Sequence, residues 1–341
     1  MKPLFYSDYL EGAHQRIMDA LQASNMEQTP GYGEDSYCAE ARELIKRACD
    51  APDADVHFLV GGTQANVTVI SSVLRPYQGV LCASSGHIAV HETGAVEHSG
   101  HKAMTLPAVD GKISACQVAE AIDGHFSDAN FEHTVQPGMV YISFPTELGT
   151  LYSKKELEEM SKVCRERNVP LFIDGARLGY GLTSDACDLT LEDMARLADV
   201  FYIGGTKQGA LFGEAVVICK DSIKQCFRYN IKQNGGMLAK GRLLGIQFRE
   251  LFKDGLYFEL ARNANRQASK IRAALKDSGI ELYGSSPTNQ VFAVVNDAQM
   301  ALIGERVGFE FWEKTHDGRS VIRICTSWAT TDAQVEALTG A

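Results

Sequence analysis

Long apolar runs are missing from this 341-residue chain. None approaches the roughly 20 residues a membrane helix needs, and the opening MKPLFYSDYLEGAH has no apolar core of the kind a secretory leader carries. Positive charge is also in short supply: 33 Lys and Arg stand against 43 Asp and Glu, a net charge of −10. That balance argues against nucleic acid or an anionic membrane as the main partner. The nine cysteines are odd in number and scattered, with no C-x-x-C pair. Most lie in apolar contexts such as AVVIC and VIRIC, as buried free thiols do in a reducing compartment, so the cytoplasm is the expected location. No internal repeat, low-complexity tract or obvious linker is present. What remains is an ordinary soluble globular chain, 45% hydrophobic and 22% charged, long enough for a large domain and a smaller one.

The central two thirds alternates short β-rich runs with helical stretches. The runs VHFLV (56–60), GVLCA (79–83), MVYISF (139–144), PLFID (170–174), VFYIG (200–204) and AVVIC (215–219) are continuous and rich in Val, Ile and Phe, as strands covered on both faces should be. Ser153 with Glu156, and Thr190 with Asp193, predict capping boxes at two helix starts. The alternation predicts an α/β protein with a mainly parallel sheet. Longer helices are predicted over 222–232, 237–253 and 257–278, then a small α+β tail with strands near 290–295 and 320–326. The expected organisation is an N-terminal segment (1–20) packing with the small domain, a large α/β domain (21–235), and connecting helices with a small domain (236–341). Ligands of such sheets bind at the carboxyl ends of strands, and the loops at 61–64, 84–87, 174–177 and 204–207 all follow one.

One of those loops holds Lys207, in ADVFYIGGTKQGALFGEAVV. A P-loop requires G-x-x-x-x-G-K-[ST]; here the glycine spacing differs and Gln208 follows the lysine. An ordinary turn lysine is the plain alternative. What favours chemistry is LFIDGARLG, 33 residues upstream, a buried-looking strand that ends in Asp174. A carboxylate there is costly without a cationic partner. Pyridoxal phosphate needs both groups, a lysine to bond its aldehyde and an acid to keep the pyridine nitrogen protonated. The stretch FLVGGTQANVTVI adds a third element, because a strand runs through Gly61, Gly62 and Thr63 directly into a helix whose first N–H groups make a phosphate cup. In SSGHIAVHETGAVEHSGH, His87, His91, His98 and His101 invite a metal reading, but no H-E-x-x-H arrangement is present and His98 and His101 fall in a predicted loop. No metal is expected. His87 follows a strand end, where an imidazole can stack on a pyridine ring.

These residues resemble the low-specificity threonine aldolases, of the aspartate-aminotransferase-like (fold type I) pyridoxal-phosphate enzymes. The resemblance spans nearly the whole chain, through YSDYLEGAH, GYGEDSY, GGTQAN, GHIAVHETGA, LFIDGARLG, GGTKQGALFGEAVV, GGMLAKGRLL and RICTSW. It implies a three-layer sandwich plus a small α+β domain, and pyridoxal 5′-phosphate as cofactor. It implies Lys207 as the Schiff-base lysine, Asp174 as partner of the pyridinium, His87 as the stacking residue, and Gly61, Gly62 and Thr63 as phosphate contacts. Arg177 and Arg323, with Ser7, would hold the substrate carboxylate. Tyr32 would reach the neighbouring subunit's site in a homodimer or homotetramer. The implied reaction cleaves L-threonine, L-allo-threonine or related β-hydroxy-α-amino acids to glycine and an aldehyde, with His87, His91, Glu92 or a water they hold taking the β-hydroxyl proton. Two departures stand out: Ser7-Asp8-Tyr9 replaces the usual Ser-Asp-Thr, and Glu147 stands where the best-described branch has a second active-site histidine. β-Elimination, transamination, a phenylserine-type aldolase or a non-catalytic cofactor-binding protein would use the same anchors.

Overall fold

The computed structural model describes residues 2–340. Seven strands form the first sheet: β1 (Asp55–Leu59), β2 (Gln78–Ala83), β3 (Lys102–Leu106), β4 (Gln136–Ser143), β5 (Leu171–Asp174), β6 (Val200–Gly204) and β7 (Glu214–Ile218). Their order is β1-β7-β6-β5-β4-β2-β3, parallel throughout except for β7, which is antiparallel to both neighbours. The sheet is covered on both faces. Along β4, Val140 and Ile142 enter one apolar core while Met139 and Tyr141 enter the other, as the two-residue period of a strand requires. This is why the central strands read as unbroken apolar runs.

Helices cross over between the parallel strands. Both expected capping boxes form: the Ser153 hydroxyl accepts from Glu156 N–H while the Glu156 carboxylate accepts from Ser153 N–H, and Thr190 and Asp193 do the same. Among the described residues, no helix is long and apolar enough to cross a membrane.

Four further strands, β8 (Glu281–Leu282), β9 (Gln290–Val295), β10 (Glu310–Lys314) and β11 (Ser320–Cys325), form an antiparallel sheet in the order β10-β11-β9-β8. The chain's first residues join it: Phe5 N–H bonds Gly308 O and Cys325 N–H bonds Phe5 O, at 2.7 and 2.9 Å. The 22-residue helix Leu256–Asp277 lies between the two sheets in sequence and packs against β8, β9 and the helix Leu178–Leu182.

Three sequence expectations need correction. The helix expected over 222–232 is two, Asp221–Lys224 and Phe227–Gln233, because Cys226 takes a left-handed φ of 62° that no helix accommodates. The one expected over 237–253 starts only at Arg242. The residues before it run beside 31–33, where Tyr32 N–H bonds Ala239 O at 3.2 Å. His98, expected in a loop, closes the short helix Ala95–His98.

Candidate active site

Four strand ends converge on one cavity of about 300 Å³. β1 leads through Val60 and Gly61 into the helix Gly62–Val73, β4 leads to Glu147, β5 ends on Asp174, and β6 turns through Thr206 into Lys207; His87 opens the short helix His87–Val90 that follows β2. Close approach of two of these turns depends on glycine. A Cβ on Gly204 would stand 2.3 Å from the Ala176 carbonyl oxygen, so only glycine lets β6 end against the turn that follows Asp174. A Cβ on Gly62 would crowd the Tyr202 hydroxyl at 3.1 Å. The N-cap, Gly61, offers no side chain to the first N–H groups of that helix, which leaves them open toward the cavity wall and suited to an anion.

Asp174 is fully buried. Its Oδ2 accepts from the Tyr141 hydroxyl at 2.5 Å and from Asn66 Nδ2 at 3.2 Å, and Oδ1 accepts from Ala176 N–H at 3.0 Å. All these donors are neutral, and Asp174 has no ion-pair partner among the described residues. Burial pushes its pKa up, but charge at His87 and the hydroxyls of Tyr141 and Tyr202 outweigh burial and hold the carboxyl below its ordinary value. An ionised acid with one side open to a cavity is a seat for a cationic N–H.

Lys207 stands on the same wall. Its Nζ makes no hydrogen bond or ion pair among the described residues and lies 5.9 Å over the Tyr9 ring. Burial, with help from the Arg177 charge, lowers its pKa against the opposing carboxylates Asp8, Asp174 and Glu214. An amine so placed is easier to deprotonate and a better nucleophile. Arg177 also lines the cavity, held by Asp8 through Nε–Oδ2 at 2.7 Å and Nη2–Oδ1 at 3.0 Å, with Asn289 Nδ2 donating to Asp8 Oδ2 at 2.8 Å. The fork fixes the plane of the guanidinium and leaves Nη1 free.

His87 Nδ1 meets Glu92 Oε1 at 2.8 Å, and that oxygen also accepts from Asn66 Nδ2 at 2.7 Å. Glu92 can only accept, so His87 donates from Nδ1 and turns Nε2 to the cavity. Glu92 itself lies behind the wall with a fully buried side chain. Glu147 lines the cavity, its Oε1 accepting from His87 N–H at 2.8 Å and the Ser143 hydroxyl at 2.6 Å; burial raises its pKa.

The other expected residues lie outside the cavity lining. Ser7 is buried beside Asp8. Arg323 sits beyond, bonded to Gln290 Oε1 at 3.0 Å, Tyr6 O at 3.2 Å and Glu310. Tyr32 is half-exposed in a separate cleft with Arg228 and His57. The His91 ring is 5.6 Å from that of His87, and His101 Nδ1 faces Gln78 O at 3.2 Å. Sequence reasoning did not single out Tyr141, Tyr202, Asn66 or Glu214. Tyr141 and Tyr202 put a hydroxyl inside runs otherwise apolar, which is a usable signal; Asn66, on the helix Gly62–Val73, and Glu214, just before AVVIC, carry none.

The open helix start, the buried acid without a salt bridge and the free lysine fit pyridoxal phosphate, and the sheet order with its two-sided cover defines an aspartate-aminotransferase-like α/β protein. The chain belongs to the beta-eliminating lyase family, whose profile matches residues 5–298. The threonine aldolase of Leishmania major superposes with a TM-score of 0.96 at 44% identity, over 99% of this chain and 98% of that one. A low-specificity L-threonine aldolase of a Pseudomonas species is 28% identical across 98% of this chain and 95% of its own length. Aspartate aminotransferase of Thermus thermophilus shares the fold at 15% identity, with a TM-score of 0.72 over 99% of this chain and 90% of that one.

Proposed function

We propose that this chain is a pyridoxal-phosphate-dependent aldolase that cleaves L-threonine, L-allo-threonine and related β-hydroxy-α-amino acids to glycine and an aldehyde. The observation that carries the reading is one cavity wall bearing Lys207, Asp174 and Arg177, in a chain so similar to a threonine aldolase over its whole length. Lys207 would hold the cofactor covalently, Asp174 its ring nitrogen, His87 its ring face, and Gly61, Gly62 and Thr63 its phosphate. Bound there, the cofactor supplies an electron sink for the pair released when a bond at the substrate's α-carbon breaks.

The chain's own residues decide which bond that is. Arg177, its plane fixed by Asp8, donates from Nη1 to the substrate carboxylate and so sets the rotation about Cα. Arg323 and Ser7 are the further carboxylate contacts, Arg323 on exchange of its bond to Glu310. His87 Nε2 takes the β-hydroxyl proton while Nδ1 stays on Glu92, which stabilises the imidazolium. Glu147, beside it, accepts a hydrogen bond from the hydroxyl or holds the proton in transit. Glu92 thus acts through His87 rather than on the substrate. Tyr32 serves a neighbouring subunit's site in a dimer or tetramer, and the free cysteines suit a cytoplasmic enzyme.

Incubation of the cofactor-loaded protein with L-threonine tests the reading. Acetaldehyde and glycine in equal amounts are expected; ammonia with a keto acid would instead identify a β-eliminating or deaminating enzyme.

A further inference from the structure

Glu214 lines the cavity, yet the reaction described above gives it no task. It opens β7 and is only 4% exposed. Its register sets it opposite Leu59 at the end of β1 and opposite Gly204 at the end of β6. The chain beyond Leu59 forms the anion cup, and the chain beyond Gly204 carries Lys207. A carboxyl group therefore stands between cup and lysine. Its Oε1 accepts from the Thr206 hydroxyl at 3.0 Å and its Oε2 from Gly205 N–H at 3.2 Å. It has no ion-pair partner among the described residues. The titratable groups facing it are Lys207 on the turn, Tyr202 on β6, Asp174 on β5 and Tyr257 on the helix Leu256–Asp277.

An ionised Glu214 works against any anion in the cup, because two negative charges in a water-poor cavity repel strongly. Thr206 provides a way out. Its Oγ accepts from Gly213 N–H at 3.0 Å while donating to Glu214, so its single hydrogen is committed. With a proton on Glu214 this bond reverses. The carboxyl O–H then donates to Thr206 Oγ, which keeps the Gly213 N–H, and the Thr206 hydrogen is released. The other acceptor near that hydrogen, Gly213 O, is 3.5 Å away, at the limit of a useful bond.

We infer that Glu214 is a cofactor-positioning residue that, as the neutral acid, turns the Thr206 hydroxyl outward to donate to the phosphate of pyridoxal phosphate. This rests on the cofactor reading above and adds that phosphate and Glu214 compete for one hydrogen. Burial, opposed by the charge of Lys207, pushes the Glu214 carboxyl up to about 8. A phosphate in the cup adds a negative charge beside it, so the bound state keeps the proton more firmly. Linkage then gives the sign. Affinity for the phosphorylated cofactor is full below about pH 8 and falls by up to about tenfold per pH unit above it.

The test is equilibrium dialysis of the full-length enzyme, loaded with pyridoxal phosphate or with pyridoxal, across pH 7–10, bound cofactor being read from its visible absorbance. Pyridoxal bonds the same lysine but lacks the phosphate, so it subtracts the contribution of Lys207. The expected result is a dissociation constant that rises above pH 8 for pyridoxal phosphate only, and a Glu214→Gln variant in which that rise is abolished, since the amide donates to Thr206 at every pH. Thr206→Val should weaken pyridoxal phosphate at pH 7 and make Glu214→Gln without further effect. Equal pH dependence for both ligands, or an unchanged rise in Glu214→Gln, overturns the inference and leaves the cofactor reading standing. Binding of neither ligand overturns both. Should Glu214→Gln fail to fold, the two-ligand comparison on the unaltered protein decides alone.

Discussion

Asp8 and Asp174 are two buried carboxyl groups near the same cavity, both held below their ordinary pKa, and they differ in what holds them. Asp8 is closed off by a two-point guanidinium contact from Arg177 and an amide from Asn289, which bring it down to about 2 against the cost of burial. Asp174 is held by His87's charge and by neutral donors. One is a completed pair that fixes an arginine. The other makes no salt bridge with any described residue and keeps a side on the cavity. Burial alone does not mark a functional carboxylate; a charge facing a cavity with no salt bridge closing it off does.

The contrast can be broken by exchanging each acid for its amide. Asp8→Asn strands the Arg177 guanidinium without its anion, and should lower unfolding free energy by about 3–5 kcal/mol in urea titrations of the cofactor-free protein. Asp174→Asn should cost less, about 1–2 kcal/mol, because the amide loses the charge-assisted part of its hydrogen bonds but strands no cation in a broken salt bridge. Its main effect falls on turnover: a loss of about 10²–10³-fold in kcat for threonine cleavage, measured at saturating cofactor. Equal stability losses in the two variants would erase the distinction.

Acid titration sharpens it further. Asp8 stands at about 2 in the folded protein against 3.8 as its ordinary value, so its stabilisation is complete above about pH 4 and lost as pH falls through 2, about 2 kcal/mol in all. Asp8→Asn should flatten that part of the stability–pH curve. The smallest effect expected is from Glu92→Gln. The bond to His87 survives on a neutral acceptor and loses only its charge-assisted part, about 1–1.5 kcal/mol, and so about five- to tenfold in kcat with KM little changed. A fall as large as that of Asp174→Asn would place Glu92 in contact with substrate.

Much of this fold is legible in the sequence because the central strands are covered on both faces, which writes them as unbroken apolar runs. β3 escaped for the opposite reason: KAMTL lies at the sheet edge, partly exposed and mixed in character. The break at Cys226 carries no glycine or proline to announce it. Within the site, Lys207 and Asp174 were readable because each ends a strand and the pair makes chemical sense. Tyr141 and Asn66 were not, since their meeting with Asp174 depends on strand register and helix placement across 33 and 108 residues. Glu214 falls one residue outside the apolar run AVVIC. Only the pairing with β1 and β6 reveals that it is enclosed.

The central claim is that Lys207 bonds the cofactor opposite an acid that was waiting for a cation. Loading the enzyme with pyridoxal phosphate, reducing it with borohydride and mapping the modified peptide tests this most directly. The label should fall on Lys207 and nowhere else, with visible absorbance lost on reduction; a label on another lysine, or none, would contradict the assignment of the site.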